Sequence, residues 1–184
     1  MSTLQIKAVR SMLLITTFII SSLFNVAFAL NESGNQLDIA SKDIYLVRHA
    51  EKNKSDHDNP ELTENGKFRA KNIANMLKNK NISEIYSTRY NRTMQTAQPL
   101  AKLLGIDVLF YDPLALEHFA QTILSKPGNI LIVGHSNTTP YLVSKLGGDS
   151  GEPINESEYD RVYQLTVLNN KVFTKLLHSK NAQE

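Results

Sequence analysis

Two short apolar runs in this chain each end on a histidine. Ile44-Tyr45-Leu46-Val47 leads into Arg48-His49, and Ile130-Leu131-Ile132-Val133-Gly134 leads into His135. Between them Thr88-Arg89-Tyr90-Asn91-Arg92-Thr93 reads as a turn opening a helix, with an arginine near its start. A cation in the first turn opposes the helix dipole, so Arg92 calls for an anionic partner. Neutral imidazole is a good nucleophile near pH 7, and planar guanidinium forks suit bidentate contacts to phosphate oxygens. Two histidines and two arginines in this order read as a pocket for a phosphoryl group, with a histidine available to attack it.

Such a pocket needs a scaffold that brings distant segments to one edge. The apolar runs 43–47 and 130–134 are nearly continuous, as expected for parallel strands buried on both faces. Thr63 reads as the N-cap of a helix whose Ala70, Ile73, Ala74 and Leu77 fall on one face. A strand over 82–87 follows, then a helix from 91 with Ala97, Leu100, Ala101 and Leu104 inward and Gly105 as its stop. A strand over 107–111, a helix over 117–124 and a helix from 139 or 140 to 146 continue the alternation. Residues 162–168 and 172–177, joined by Asn169-Asn170-Lys171, read as a closing hairpin. The expected architecture is a three-layer α/β/α sandwich with a mostly parallel central sheet, which binds ligands beyond the carboxyl ends of its strands.

Residues 1–29 have the order of a secretory signal peptide: Lys7 and Arg10, an apolar stretch, then Ala27-Phe28-Ala29. Cleavage is expected after Ala29, giving a periplasmic or secreted protein; an uncleaved anchor is the alternative. Residues 30–42 read as a flexible lead-in and 43–184 as one domain. Of the 184 residues, 155 remain after the leader, enough for a proper core. Without Lys7 and Arg10 the 20 basic residues drop to 18 and match the 18 acidic ones. That balance gives no footprint for nucleic acid, and no further span is expected after cleavage. The chain has no cysteine, so stability must come from packing.

The motifs resemble those of the histidine phosphatase superfamily, the phosphoglycerate mutase-like family. Leu46-Val47-Arg48-His49-Ala50-Glu51 matches its first motif, with Ala50 where glycine is usual. Leu62-Thr63-Glu64-Asn65-Gly66, Arg92-Thr93-Met94-Gln95-Thr96-Ala97 and Val133-Gly134-His135-Ser136-Asn137 follow in the family's order. The resemblance implies that His49 forms a transient phosphohistidine and that Arg48 and Arg92 bind phosphate. It also implies that His135 donates to a phosphate oxygen, while Ser136 and the turn after it add donors beside a helix start. Glu117 is the nearest match to the family's proton-donating carboxylate, with Glu51 and Asp112 as weaker candidates. No metal and no other cofactor is expected, since two arginines would repel a cation. The expected substrate is a phosphomonoester or phosphoramidate on a small molecule, envelope sugar or phosphoprotein, in a shallow, open pocket. A phosphomutase on the same fold and a catalytically silent phosphate- or partner-binding module are the alternatives; oligomeric state is left open.

Overall fold

The computed structural model describes residues 41–55 and 58–180. The leader, most of the lead-in and His57 lie outside the described residues.

The described residues form six strands and four helices, alternating up to a final pair of strands. In chain order they are β1 (Lys42–Arg48), α1 (Glu64–Leu77), β2 (Ile82–Ser87), α2 (Asn91–Leu104), β3 (Val108–Phe110) and α3 (Leu116–Ser125). Then come β4 (Asn129–Gly134), α4 (Thr138–Lys145), β5 (Arg161–Leu168) and β6 (Lys171–His178). The sheet runs β3-β2-β4-β1-β5-β6. Strands β1 to β4 pair in parallel, and β5 and β6 add an antiparallel edge. Among the described residues no helix is long and apolar enough to cross a membrane.

Both faces of β1 are buried, and alternate residues feed two separate cores. Ile44 and Leu46 join Ile130, Ile132 and Leu165 under α3 and α4. Tyr45 and Val47 join Ile85, Leu131, Val133 and Val162 under α1 and α2. The three-layer sandwich expected from the alternation is therefore present, with a mostly parallel sheet between two helical layers. Strand β3 is shorter than the predicted 107–111, pairing with β2 over Val108–Phe110 only.

Local chemistry explains the element ends. The Thr63 hydroxyl accepts from the Gly66 N–H at 3.1 Å, which caps α1 as predicted. Gly66 itself packs against the chain after β1: a Cβ there would lie 2.2 Å from the Glu51 carbonyl oxygen. Gly105 ends α2 at φ 67°. In the hairpin, Asn169 and Asn170 both take positive φ, at 49° and 60°, as a two-residue turn matched to strand twist requires.

Candidate active site

The register of β1 on β4 sets Arg48 opposite Gly134, so both strands finish at one edge. The His49 N–H donates to the Gly134 carbonyl at 2.9 Å, which carries the pairing one step past β1. His49 and His135 then face each other with ring centroids 5.6 Å apart. The start of α2 is tied to the same edge: the Thr96 hydroxyl accepts from the Ala50 N–H at 3.0 Å and donates to the Arg92 carbonyl at 2.7 Å. Side chains 86 residues apart in sequence meet because two strand ends and one helix start are pinned together.

Nδ1 of His49 lies 2.8 Å from the carbonyl oxygen of Ala50. A carbonyl only accepts, so Nδ1 carries the hydrogen and the lone pair is on Nε2. Burial pushes the ring down to about 3, reinforced by the charges of Arg48, His135 and Arg92, while the Ala50 bond acts the other way. The ring is therefore neutral and nucleophilic at ordinary pH. His135 is pushed down to about 4, by burial first and then by Arg92, Arg48 and Lys52.

Arg48 and His49 are each 3 % exposed. The loop after α4 wraps Arg48: the carbonyls of Asn155, Glu156 and Glu158 accept from Nη1 at 2.8, 3.1 and 2.8 Å. That loop, rather than a sheet neighbour, covers the Arg48 guanidinium. Each arginine also lies on a tyrosine face, Arg48 on Tyr159 at 4.2 Å and Arg92 on Tyr90 at 4.4 Å. Among the described residues, the buried side-chain polar atoms without a partner are Arg48 Nε and Arg92 Nε. An unpaired buried donor is costly, and two donors on cations suit one anion.

Of the predicted residues, Arg48, His49, Arg92 and His135 are brought together, with Ser136 at the margin, where its hydroxyl donates to Glu156 at 3.1 Å. Glu117 is not among them. Its carboxylate is held on the outside of α3 by Tyr141 Oη at 2.7 Å and Lys145 Nζ at 3.1 Å. Those two partners also hold it below the usual carboxylate range, the wrong direction for a proton donor. Glu51 is locked on Arg69 (2.8 Å), and Asp112 closes a turn onto the Leu114 N–H at 2.9 Å. Arg89 stacks on Phe110 at 4.4 Å, beside a groove of about 700 Å³ that also includes Thr88, Tyr90 and Asp112. Sequence reasoning missed Tyr90, Tyr159 and Glu156. Tyr90 precedes the arginine-bearing helix, a usable signal; the two loop residues offered none. Among the described residues no group of three or more His, Cys, Asp or Glu is placed to hold a metal ion.

The profile of the histidine phosphatase superfamily (branch 1) matches residues 44–119, which include Arg48, His49 and Arg92. A curated relative, the probable phosphoglycerate mutase GpmB of Photorhabdus laumondii subsp. laumondii, is 33 % identical over 73 residues. That match covers 36 % of this chain and 34 % of the relative, so the chain aligns with about a third of that protein's length. The fold is shared with the protein histidine phosphatase SixA complexed with tungstate, at TM-score 0.59 and 18 % identity, over 74 % of this chain and 96 % of that one. It is shared too with mycobacterial glucosyl-3-phosphoglycerate phosphatase, at TM-score 0.56 and 14 % identity, over 76 % of this chain and 98 % of that one. The matched profile over residues 44–119, the shared fold and the meeting of four motif side chains at one sheet edge make this chain similar to the histidine phosphatase superfamily.

Proposed function

We propose that the protein is a phosphatase that hydrolyses a phosphomonoester or phosphoramidate through a phosphohistidine on His49. The observation that carries this reading is the His49 tautomer, with Nδ1–H spent on the Ala50 carbonyl and Nε2 left as the lone pair beside two arginines. Nε2 attacks phosphorus, the N–P bond forms and the bond to the leaving oxygen or nitrogen breaks. Phosphorylation makes the ring cationic, which strengthens its Nδ1–H···O=C bond as charge develops. Arg48 and Arg92 take the equatorial oxygens, where positioning and positive charge supply most of the catalysis. Water then attacks phosphorus, the N–P bond breaks, and His49 returns neutral.

Glu117, Glu51 and Asp112 are each engaged elsewhere, which favours substrates whose leaving group needs little protonation. A phosphoramidate on a protein side chain meets that requirement, as does an activated ester. The relatives that act on phosphohistidine and on a phosphorylated sugar acid support the same range of substrates. The leader-like residues 1–29 support a periplasmic or secreted location.

The test is to incubate residues 30–184 with a labelled phosphoryl donor and quench in alkali. Acid-labile, alkali-stable label on the wild type and none on His49→Ala is expected, with turnover unchanged by EDTA. Label retained in His49→Ala would overturn the assignment, and loss of turnover on chelation, restored by zinc or magnesium, would overturn the metal-free scheme. A mutase would hold its label against water and pass it to an acceptor, whereas rapid release of free phosphate is expected here.

A further inference from the structure

The loop after α4 is acidic, but most of its carboxylates are engaged away from the pocket. Glu158 pairs with Arg161, and Asp160 lies 2.8 Å from His178. Glu156 alone turns to the site: Oε2 lies 3.1 Å from Arg48 Nη2, and Oε1 accepts from the Ser136 hydroxyl at 3.1 Å. Its side chain is 79 % exposed while that of Arg48 is 3 % exposed, so this carboxylate sits where a buried guanidinium meets solvent. Hydrogen bonding to Ser136, then the charge of Arg48, and more weakly that of Lys52, keep it ionised. The charge of Lys52 is also felt by His135. Lys52 is thus a further cation within electrostatic reach of both Glu156 and His135.

We propose that Glu156 is a specificity-determining residue, a negative charge at the mouth that disfavours substrates bearing a second anionic group close to the phosphoryl. Neutral or cationic leaving groups are the favoured class. The inference rests on the phosphatase reading for its kinetic form but not for its binding form. A second anion must either sit near the Glu156 carboxylate or displace it from Arg48 and Ser136, and both cost Coulomb energy, modest at this exposed position and screened by salt. Removing the charge leaves the Arg48 guanidinium without its carboxylate partner, which makes the rim more attractive for such a group. The wrapping of Arg48 does not depend on this side chain, because backbone carbonyls hold Nη1.

The experiment compares a matched pair, glycerol 3-phosphate and 3-phosphoglycerate, which differ by one carboxylate. The wild type is expected to favour glycerol 3-phosphate in kcat/KM. Glu156→Gln should shift that ratio three- to tenfold toward the carboxylate substrate, Glu156→Lys further, and added salt should shrink the difference. A second arm measures binding of inorganic phosphate and pyrophosphate by calorimetry, which needs no turnover. There the variants should gain more on pyrophosphate than on phosphate. Ratios unchanged in both arms overturn the inference. A wild type that binds phosphate yet turns over neither an ester nor a phosphoramidate defeats the phosphatase reading, and the pyrophosphate-to-phosphate ratio then decides the inference alone. Failure to bind either anion, in wild type and variants, defeats both.

Discussion

Arg92 Nη2 lies 3.3 Å from Nδ1 of His135, and the direction of that bond decides the tautomer of the histidine. A guanidinium only donates, so Nδ1 accepts and the ring hydrogen must be on Nε2. Nε2–H then donates to Thr88 Oγ1 at 3.1 Å, and Thr88 donates to Thr93 Oγ1 at 2.8 Å. Thr93 completes the chain by donating to the Tyr90 carbonyl at 2.8 Å. The neutral ring of His135 offers a phosphate no N–H at Nδ1.

Arg92→Ala should lower kcat/KM by about 10²- to 10³-fold, the usual loss for a preorganised charge contact. Arg92→Lys should recover little of it, since an ammonium cannot supply the Nε donor together with a terminal one. Steady-state kinetics on p-nitrophenyl phosphate decide this. Full turnover in Arg92→Ala would remove the residue from the mechanism.

Thr88→Val removes the acceptor for His135 Nε2–H while keeping the shape of the side chain. One lost hydrogen bond of about 1 kcal/mol predicts a roughly fivefold fall in kcat. Nitrogen NMR should show the Nε2–H tautomer of His135 giving way to a mixture. An unchanged tautomer with unchanged kcat would contradict the hydroxyl relay.

The pH behaviour follows from the two depressed histidines. Their folded values, about 3 for His49 and about 4 for His135, lie below the ordinary value of about 6.5. Between those limits the unfolded chain binds protons that the folded chain refuses, so stability is full above about 6.5 and falls as pH drops toward 4 and 3. For the same reason the free enzyme should keep its nucleophile unprotonated at pH 5. Proton NMR titration of the two rings tests this, and a midpoint near 6.5 for His49 would refute it.

Glu117→Gln should leave kcat within about twofold, because its partners Tyr141 and Lys145 are on the outer face of α4. A hundredfold loss would restore it as the proton donor. Glu51→Gln should behave in the opposite way. It breaks the nearly buried pair with Arg69, which also donates to the Ser179 carbonyl at 3.0 Å, and should cost about 3 kcal/mol of stability by chemical denaturation. Turnover of the folded fraction should survive.

The four motif residues were legible because each stands at an element end that the apolar pattern itself marks. Thr63 as a cap, Gly105 as a stop and a hairpin turn at Asn169-Asn170-Lys171 were legible for a similar reason, their conformations being local, although Lys171 already belongs to β6. The direction of Glu117 was not legible because chain proximity to β3 says nothing of it; on α3 its side chain turns to α4, where it meets Tyr141 and Lys145. Tyr159 and Glu156 were invisible since a loop without periodicity gives no clue to what it covers. The burial of Arg48 came with them, an outcome of that loop folding back by more than a hundred residues.

Strand β1 is apolar on both sides, which has a thermodynamic corollary. Sliding it by one residue would swap Ile44 and Leu46 with Tyr45 and Val47, oily for oily, so hydrophobicity alone barely opposes the slip. Alignment must be enforced by directional bonds at the two tips: Asp43 N–H to Asn129 Oδ1 (2.8 Å) at one, His49 N–H to Gly134 O and Ala50 N–H to Thr96 Oγ1 at the other. The bonds that choose the native threading are therefore, at one tip, the same ones that aim the reactive imidazole, and damage there should yield misaligned protein as well as inert protein.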